Sequence, residues 1–73
     1  MKALCLVRIH GKRPEAVLKE LKKIKGVQDA FLTFGRFDGV AVLKTPGIEG
    51  CVSAIKAIQS NPGIRRTETL TEV

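Results

Sequence analysis

The stretch Gly35-Arg36-Phe37-Asp38-Gly39 sets a cation, an aromatic ring and a carboxylate side by side between two glycines. The glycines leave backbone N–H groups open to a ligand, the carboxylate suits an ammonium, and the guanidinium suits a carboxylate. A free amino acid carries both of the groups this mixture complements. The same residues also spell a hairpin connection, because Asp38-Gly39 is a turn dipeptide. On that plainer reading the charges are solvated and the ring folds onto the strands. Residue chemistry alone favours the plainer reading.

Covalent chemistry has weaker support. His10 is the only histidine, and the serines are Ser53 and Ser60 alone. No nucleophile, base and acid come together as a set. Asp29 and Asp38 are not a pair at defined spacing, and the glycines form no phosphate-cradling loop. "HGKRPE" (10–15) is a faint echo of the arginine loop of small phosphatases, without its supporting glycines and asparagine. A non-enzyme is expected, with no cofactor. Cys5 and Cys51 each lie in an apolar run with no Cys-x-x-Cys, so a structural zinc lacks ligands. They read as buried free thiols, with a single Cys5–Cys51 bridge as the alternative. Without a disulfide framework the expected location is cytoplasmic.

The elements that must position these residues follow from periodicity. "KALCLVRI" (2–9) is apolar on both alternating sets: Ala3, Cys5, Val7 and Ile9 on one, Leu4 and Leu6 on the other. Such a strand is buried on both faces. Pro14 suits a helix start. Val17, Leu18, Leu21 and Ile24 then define one helical face, opposite Glu15, Lys19, Lys22 and Lys23. Glu15 and Lys19 are spaced for an ion pair, and Lys25-Gly26 is expected to close the helix. "VQDAFLTF" (27–34) and "GVAVLK" (39–44) read as a hairpin. Ile48, Cys51, Val52, Ile55 and Ile58 mark a second amphipathic helix, stopped by Asn61-Pro62-Gly63. Residues 64–73 read as a last strand, with Thr67, Thr69 and Thr71 on one side.

The order is β-α-β-β-α-β, with a weak repeat that matches Ile24-Lys25-Gly26-Val27 to Asn61-Pro62-Gly63-Ile64. Two βαβ halves imply an α+β, ferredoxin-like sandwich: a four-stranded antiparallel sheet with both helices on one face. The apolar residues of the other face then need a cover, which predicts dimerisation through the sheet.

The length of 73 residues allows one domain, 1–73. A domain this small buries only about 60% of its unfolded surface. With neither disulfides nor metal, oligomerisation is the expected staple. The start has no signal-peptide pattern and the chain no membrane-spanning run, so it reads as complete and soluble. Residues 1–25 hold eight Lys/Arg and two Glu, whereas residues 26–73 hold five of each sign, which accounts for the net charge of +6. The basic half suits nucleic acid; a solvated helix face is the favoured alternative. An RNA-binding sheet would display aromatics on its central strands. This chain has three Phe, no Tyr and no Trp.

Taken together, "LKKIKGVQDAFLTFG", "GRFDGVAVL" and "NPGIRRTETL" resemble the effector (RAM) domain of the Lrp/AsnC transcription regulators. The Gly-x-aromatic-Asp turn and the Pro-Gly-Ile…Thr-x-Thr ending carry the resemblance, which spans essentially the whole chain. It implies an ACT-like effector domain that dimerises through its sheets and assembles into octamer-like rings. It further implies an amino-acid effector held between subunits. Gly35, Arg36, Phe37 and Asp38 would line one wall; Thr67 and Thr69 are candidates for a neighbour's contribution. Full-length regulators carry a preceding helix-turn-helix domain, for which this chain leaves no room. A stand-alone effector domain is therefore expected. It would co-assemble with full-length regulators or serve amino-acid metabolism, without sequence-specific DNA binding of its own. Many family members have an Asp where this chain has Gly47. The alternatives are a basic ferredoxin-like nucleic-acid-binding module, or a structural assembly partner with no ligand.

Overall fold

The first strand, β1 (Lys2–Ile9), organises the molecule because both of its edges are paired. In the computed structural model, which describes residues 1–71, it is followed by α1 (Pro14–Lys22), β2 (Val27–Leu32), β3 (Gly39–Lys44), α2 (Ile48–Gln59) and β4 (Ile64–Thr71). The sheet order is β2-β3-β1-β4, antiparallel throughout. This is the expected ferredoxin-like topology. Glu72 and Val73, which the sequence reading included in the last strand, lie outside the described residues.

The two faces of β1 separate as their alternation demands. Ala3, Cys5 and Val7 are buried beneath the helices, together with Leu18 and Leu21 of α1 and Cys51, Ala54 and Ile58 of α2. Ala30, Ala41 and Leu43 complete this core from the neighbouring strands. Small residues on the sheet let the helices approach closely while Leu21 and Ile58 fill the space between layers. Both cysteines are free and buried, as expected. Burial pushes the Cys5 thiol above its ordinary range, and nearby Cys51 adds to this; a hydrogen bond from Thr69 opposes it.

Four local expectations need correction. The helix α1 stops at Lys22, not at Lys25-Gly26: Lys23 and Ile24 donate to carbonyls three residues back, tightening the last turn. Strand β2 ends at Leu32, not at Phe34, because Thr33 already bonds across the connection to Asp38. The Glu15–Lys19 pair does not form; the only salt bridge among the described residues joins Lys22 to Asp29 at 3.8 Å on the surface. The turn glycine is Gly35 (φ +113°), not Gly39. Gly39 is the first residue of β3, and a Cβ there would meet Leu18 Cδ2 at 3.0 Å and Phe31 O at 3.2 Å. It is a glycine for close packing, not for turning.

The other face of the sheet has no covering layer. Leu4, Phe31 and Leu70 are 41%, 46% and 52% exposed there, with Leu6 and Val42 between them. A shallow depression of about 340 Å³ is lined by Leu4, Val42 and Leu70. Cations fringe both ends, where Lys2 stands opposite Lys44 and Arg8 opposite Arg66. Among the described residues no helix is long and apolar enough to cross a membrane.

Candidate functional site

Residues 33–38 connect β2 to β3, held by two backbone bonds and two side-chain bonds. Thr33 N–H donates to Asp38 O at 3.0 Å and its hydroxyl donates to Phe37 O at 3.1 Å, closing the connection on itself. Asp38 then fastens it to β1: its N–H donates to Val7 O at 2.9 Å, and its carboxylate accepts the N–H of Ile9 at 2.8 Å. The second bond has a clear origin. Pairing of β1 with β3 ends at Val7 opposite Gly39, so Ile9 runs past the end of β3. The Asp38 carboxylate stands in for the carbonyl that β3 does not supply.

The loop therefore presents its chemistry from a fixed base. Gly35 and Arg36 are exposed, Phe37 and Asp38 are half-buried, and Phe34 is fully exposed. Among the described residues no carboxylate lies within ion-pair distance of Arg36. Arg8 and Arg66, facing each other on adjacent strands, sit at the same end of the sheet. Like charges placed directly opposite are unfavourable unless an anion answers them. Sequence reasoning did not single out this pair. The available signal was Arg8 falling on the Leu4–Leu6 side of β1 next to the loop's anchor points.

Thr67 and Thr69 lie elsewhere. They pair with Val7 and Cys5 on β4, on the helix-covered face. Thr67 Oγ1 accepts from Gln59 Nε2 at 3.0 Å, and the Thr69 hydroxyl donates to Cys5 Sγ at 3.8 Å. Val7 stands between Thr67 and Gly39, so β1 separates the two candidate sets by two strand spacings, about 10 Å. Within one chain, Gly35 to Asp38 come together and the threonines do not join them.

His10 and Ser60 serve the scaffold. His10 is spent on structure: its Nε2 donates to Pro62 O at 2.8 Å and its backbone N–H to Gly63 O. Ser60 donates to the carbonyl of Ala57 in the preceding helix. Among the described residues no group of three potential metal ligands converges. A cleft of about 400 Å³ opens at the opposite end of the sheet, where Gly26, Thr45 and Gly50 meet beside Lys25 and Lys44. Gly47 caps α2 there with no side-chain bond.

Several comparisons with known proteins bear on this geometry. A search of curated proteins finds no significant match. Among solved structures, the chain is similar to FFRP-DM1 at 20% identity and a TM-score of 0.89, over 99% of this chain and 97% of that one. It is similar to TTHA0845 from Thermus thermophilus at 28% identity and a TM-score of 0.87, over 94% of this chain and 88% of that one. With AsnC of E. coli the identity is 22% and the TM-score 0.81, over 94% of this chain but 48% of AsnC, so the chain spans about half of that regulator. The family model of the Lrp/AsnC ligand binding domain matches residues 2–71, nearly the whole sandwich with the loop and both helices. With its fold, its anchored hairpin loop and this match in agreement, the chain belongs to the Lrp/AsnC ligand-binding domain family.

Proposed function

We propose that residues 1–73 act as one effector-binding domain that holds a free amino acid between subunits. Its role is then regulatory: ligand occupancy biases assembly, and assembly modulates transcription regulators or amino-acid metabolism. Membership of a ligand-binding family supplies the general role. The observation that carries the intersubunit reading is the uncovered sheet face, with Leu4, Phe31 and Leu70 41–52% exposed. An apolar face of this kind marks an interface. The proposed assembly is a cytoplasmic homo-oligomer of sheet-packed dimers joined into an octamer-like ring, with full-length Lrp/AsnC regulators as candidate co-subunits.

In this reading Gly35, Arg36, Phe37 and Asp38 form one wall of the pocket. Arg36 has no carboxylate partner among the described residues and takes the effector's carboxylate, while the glycine backbone supplies further donors. Thr67 and Thr69 enter from a neighbouring subunit. Their separation from the loop within one chain supports a site completed by a second copy. Thr67 accepts from Gln59 and keeps a hydroxyl proton to donate.

A melting screen against the twenty amino acids tests the effector. Ligand at 100 times its Kd adds about 2.7 kcal/mol, and each kcal/mol raises Tm by roughly 4–8 °C in a domain of this size. One or a few amino acids are expected to shift Tm. Failure of all twenty at millimolar concentration sinks the effector reading.

A further inference from the structure

The layer opposite the uncovered sheet face carries a charge pattern that the effector site does not use. Counted around the axis of α1, the side chains farthest from buried Leu21 are Lys19 and Lys23, one turn apart at about 6 Å. Exposed Ala16 continues the same line toward the helix start, which Lys12 and Arg13 immediately precede. A small residue there leaves the ridge open between its cations.

Ion pairing gives these cations no internal purpose. The only salt bridge among the described residues is Lys22–Asp29, at the side of the ridge. Glu20, the nearest acid in sequence to Lys19, accepts from Asn61 Nδ2 at 2.7 Å instead. Lys12 and Arg13 lie at the positive end of the helix dipole, where a cation is unfavourable, and the Arg13 side chain makes no capping bond. Helix stability therefore does not account for Lys12 and Arg13, whereas Lys19 lies in the last turn, where the dipole favours a cation.

We infer that the outer side of α1 and its two ends, with Lys19 on the helix, Lys12 and Arg13 before it and Lys23 at its C-cap, bind the phosphate backbone of duplex nucleic acid without reading its sequence. The absence of apolar anchors selects this partner. Among the described residues the exposed large apolar ones are Leu4, Phe31, Leu32, Phe34, Ile48, Val52 and Leu70, and none lies on α1. A protein interface needs an apolar or aromatic centre, and a membrane-surface helix needs an apolar face to bury. A phosphate backbone needs only cations. Single strands are held largely by aromatic stacking, which this ridge lacks, so the duplex is favoured. The ridge lies on the opposite layer from the proposed dimer face and does not depend on that reading.

Fluorescence anisotropy with two labelled 20-base-pair DNA duplexes of unrelated sequence tests the inference. Equal affinity for both is expected, with log K falling against log salt at a slope of about −3.6 for four phosphate contacts. That slope corresponds to about 150-fold weaker binding at 200 mM than at 50 mM salt. Lys19→Glu/Lys23→Glu should cut the slope by about half. Lys56→Glu on α2 should leave it unchanged, although Lys56→Glu and Lys19→Glu alter total charge equally. Lys19→Gln/Lys23→Gln repeats the test should the double reversal not fold. The inference is overturned by no binding at 50 mM salt, or by equal effects of Lys56→Glu and Lys19→Glu. Tighter Lys19-dependent binding of an acidic peptide or an anionic vesicle than of the duplex overturns it as well.

Discussion

Asp38 shows how one side chain can belong to the scaffold and the site at once. Sequence chemistry offered its carboxylate to a ligand ammonium; the structure spends one oxygen on the Ile9 N–H at 2.8 Å. The other oxygen keeps its acceptor capacity. Removal of the carboxylate leaves a half-buried N–H unsatisfied, at a cost of about 1–3 kcal/mol. Asp38→Ala should therefore lower Tm by several degrees even without ligand. Asp38→Asn keeps an acceptor and should recover most of that loss. If Asp38→Ala melts with the wild type, the carboxylate is not an anchor and its whole role falls to the ligand. Arg36 differs in having no ion-pair partner among the described residues, so Arg36→Ala should leave Tm of the free protein unchanged while weakening any effector-induced shift.

At the scale of elements, an apparent repeat hides two physical causes. Gly26 and Gly63 align in sequence at equivalent helix-to-strand junctions. Gly26 has φ +97°, whereas Gly63 is not in the positive-φ region. Gly63 is required by contact: a Cβ there would lie 2.6 Å from Val17 Cγ2 on α1. The turn before β4 thus presses directly against the first helix, and Asn61 bonds Glu20 across the same junction at 2.7 Å. Gly63→Ala should destabilise by about 1–3 kcal/mol through overpacking. Adding Val17→Ala should recover part of the loss, since the clash is with that side chain; a double-mutant cycle of denaturant melts measures the coupling. Simple additivity would place the cost in the turn's backbone instead.

At the scale of the molecule, the sheet divides the protein into a covered and an uncovered half. Leu4 and Val7 share one strand but fall on opposite sides of that division. Leu4→Lys should preserve the fold and yield monomer in light scattering at micromolar concentration. Val7→Lys places an unpaired charge in a fully buried position and should unfold the chain. A wild-type protein that is already monomeric at that concentration would remove the basis for sheet-to-sheet assembly. Cations on the outer layer and apolar side chains on the inner one leave the two surfaces free to work separately.

Sequence by itself determined the order of elements, the two-faced character of β1 and the choice of core helix faces. These rest on periodicities of two and near four, which are local. It also marked Gly35 to Asp38 as the loop with surplus chemistry, and their pattern pointed to the family. Local pattern did not reveal that Gly39 packs rather than turns, or that Asp38 completes the end of β1. Nor did it show that Thr67 and Thr69 lie under the helices across β1 from the loop. Those facts depend on which strand ends beside which, and on how far each runs past its neighbour. Only the tertiary pairing of β1 with both β3 and β4 decides that.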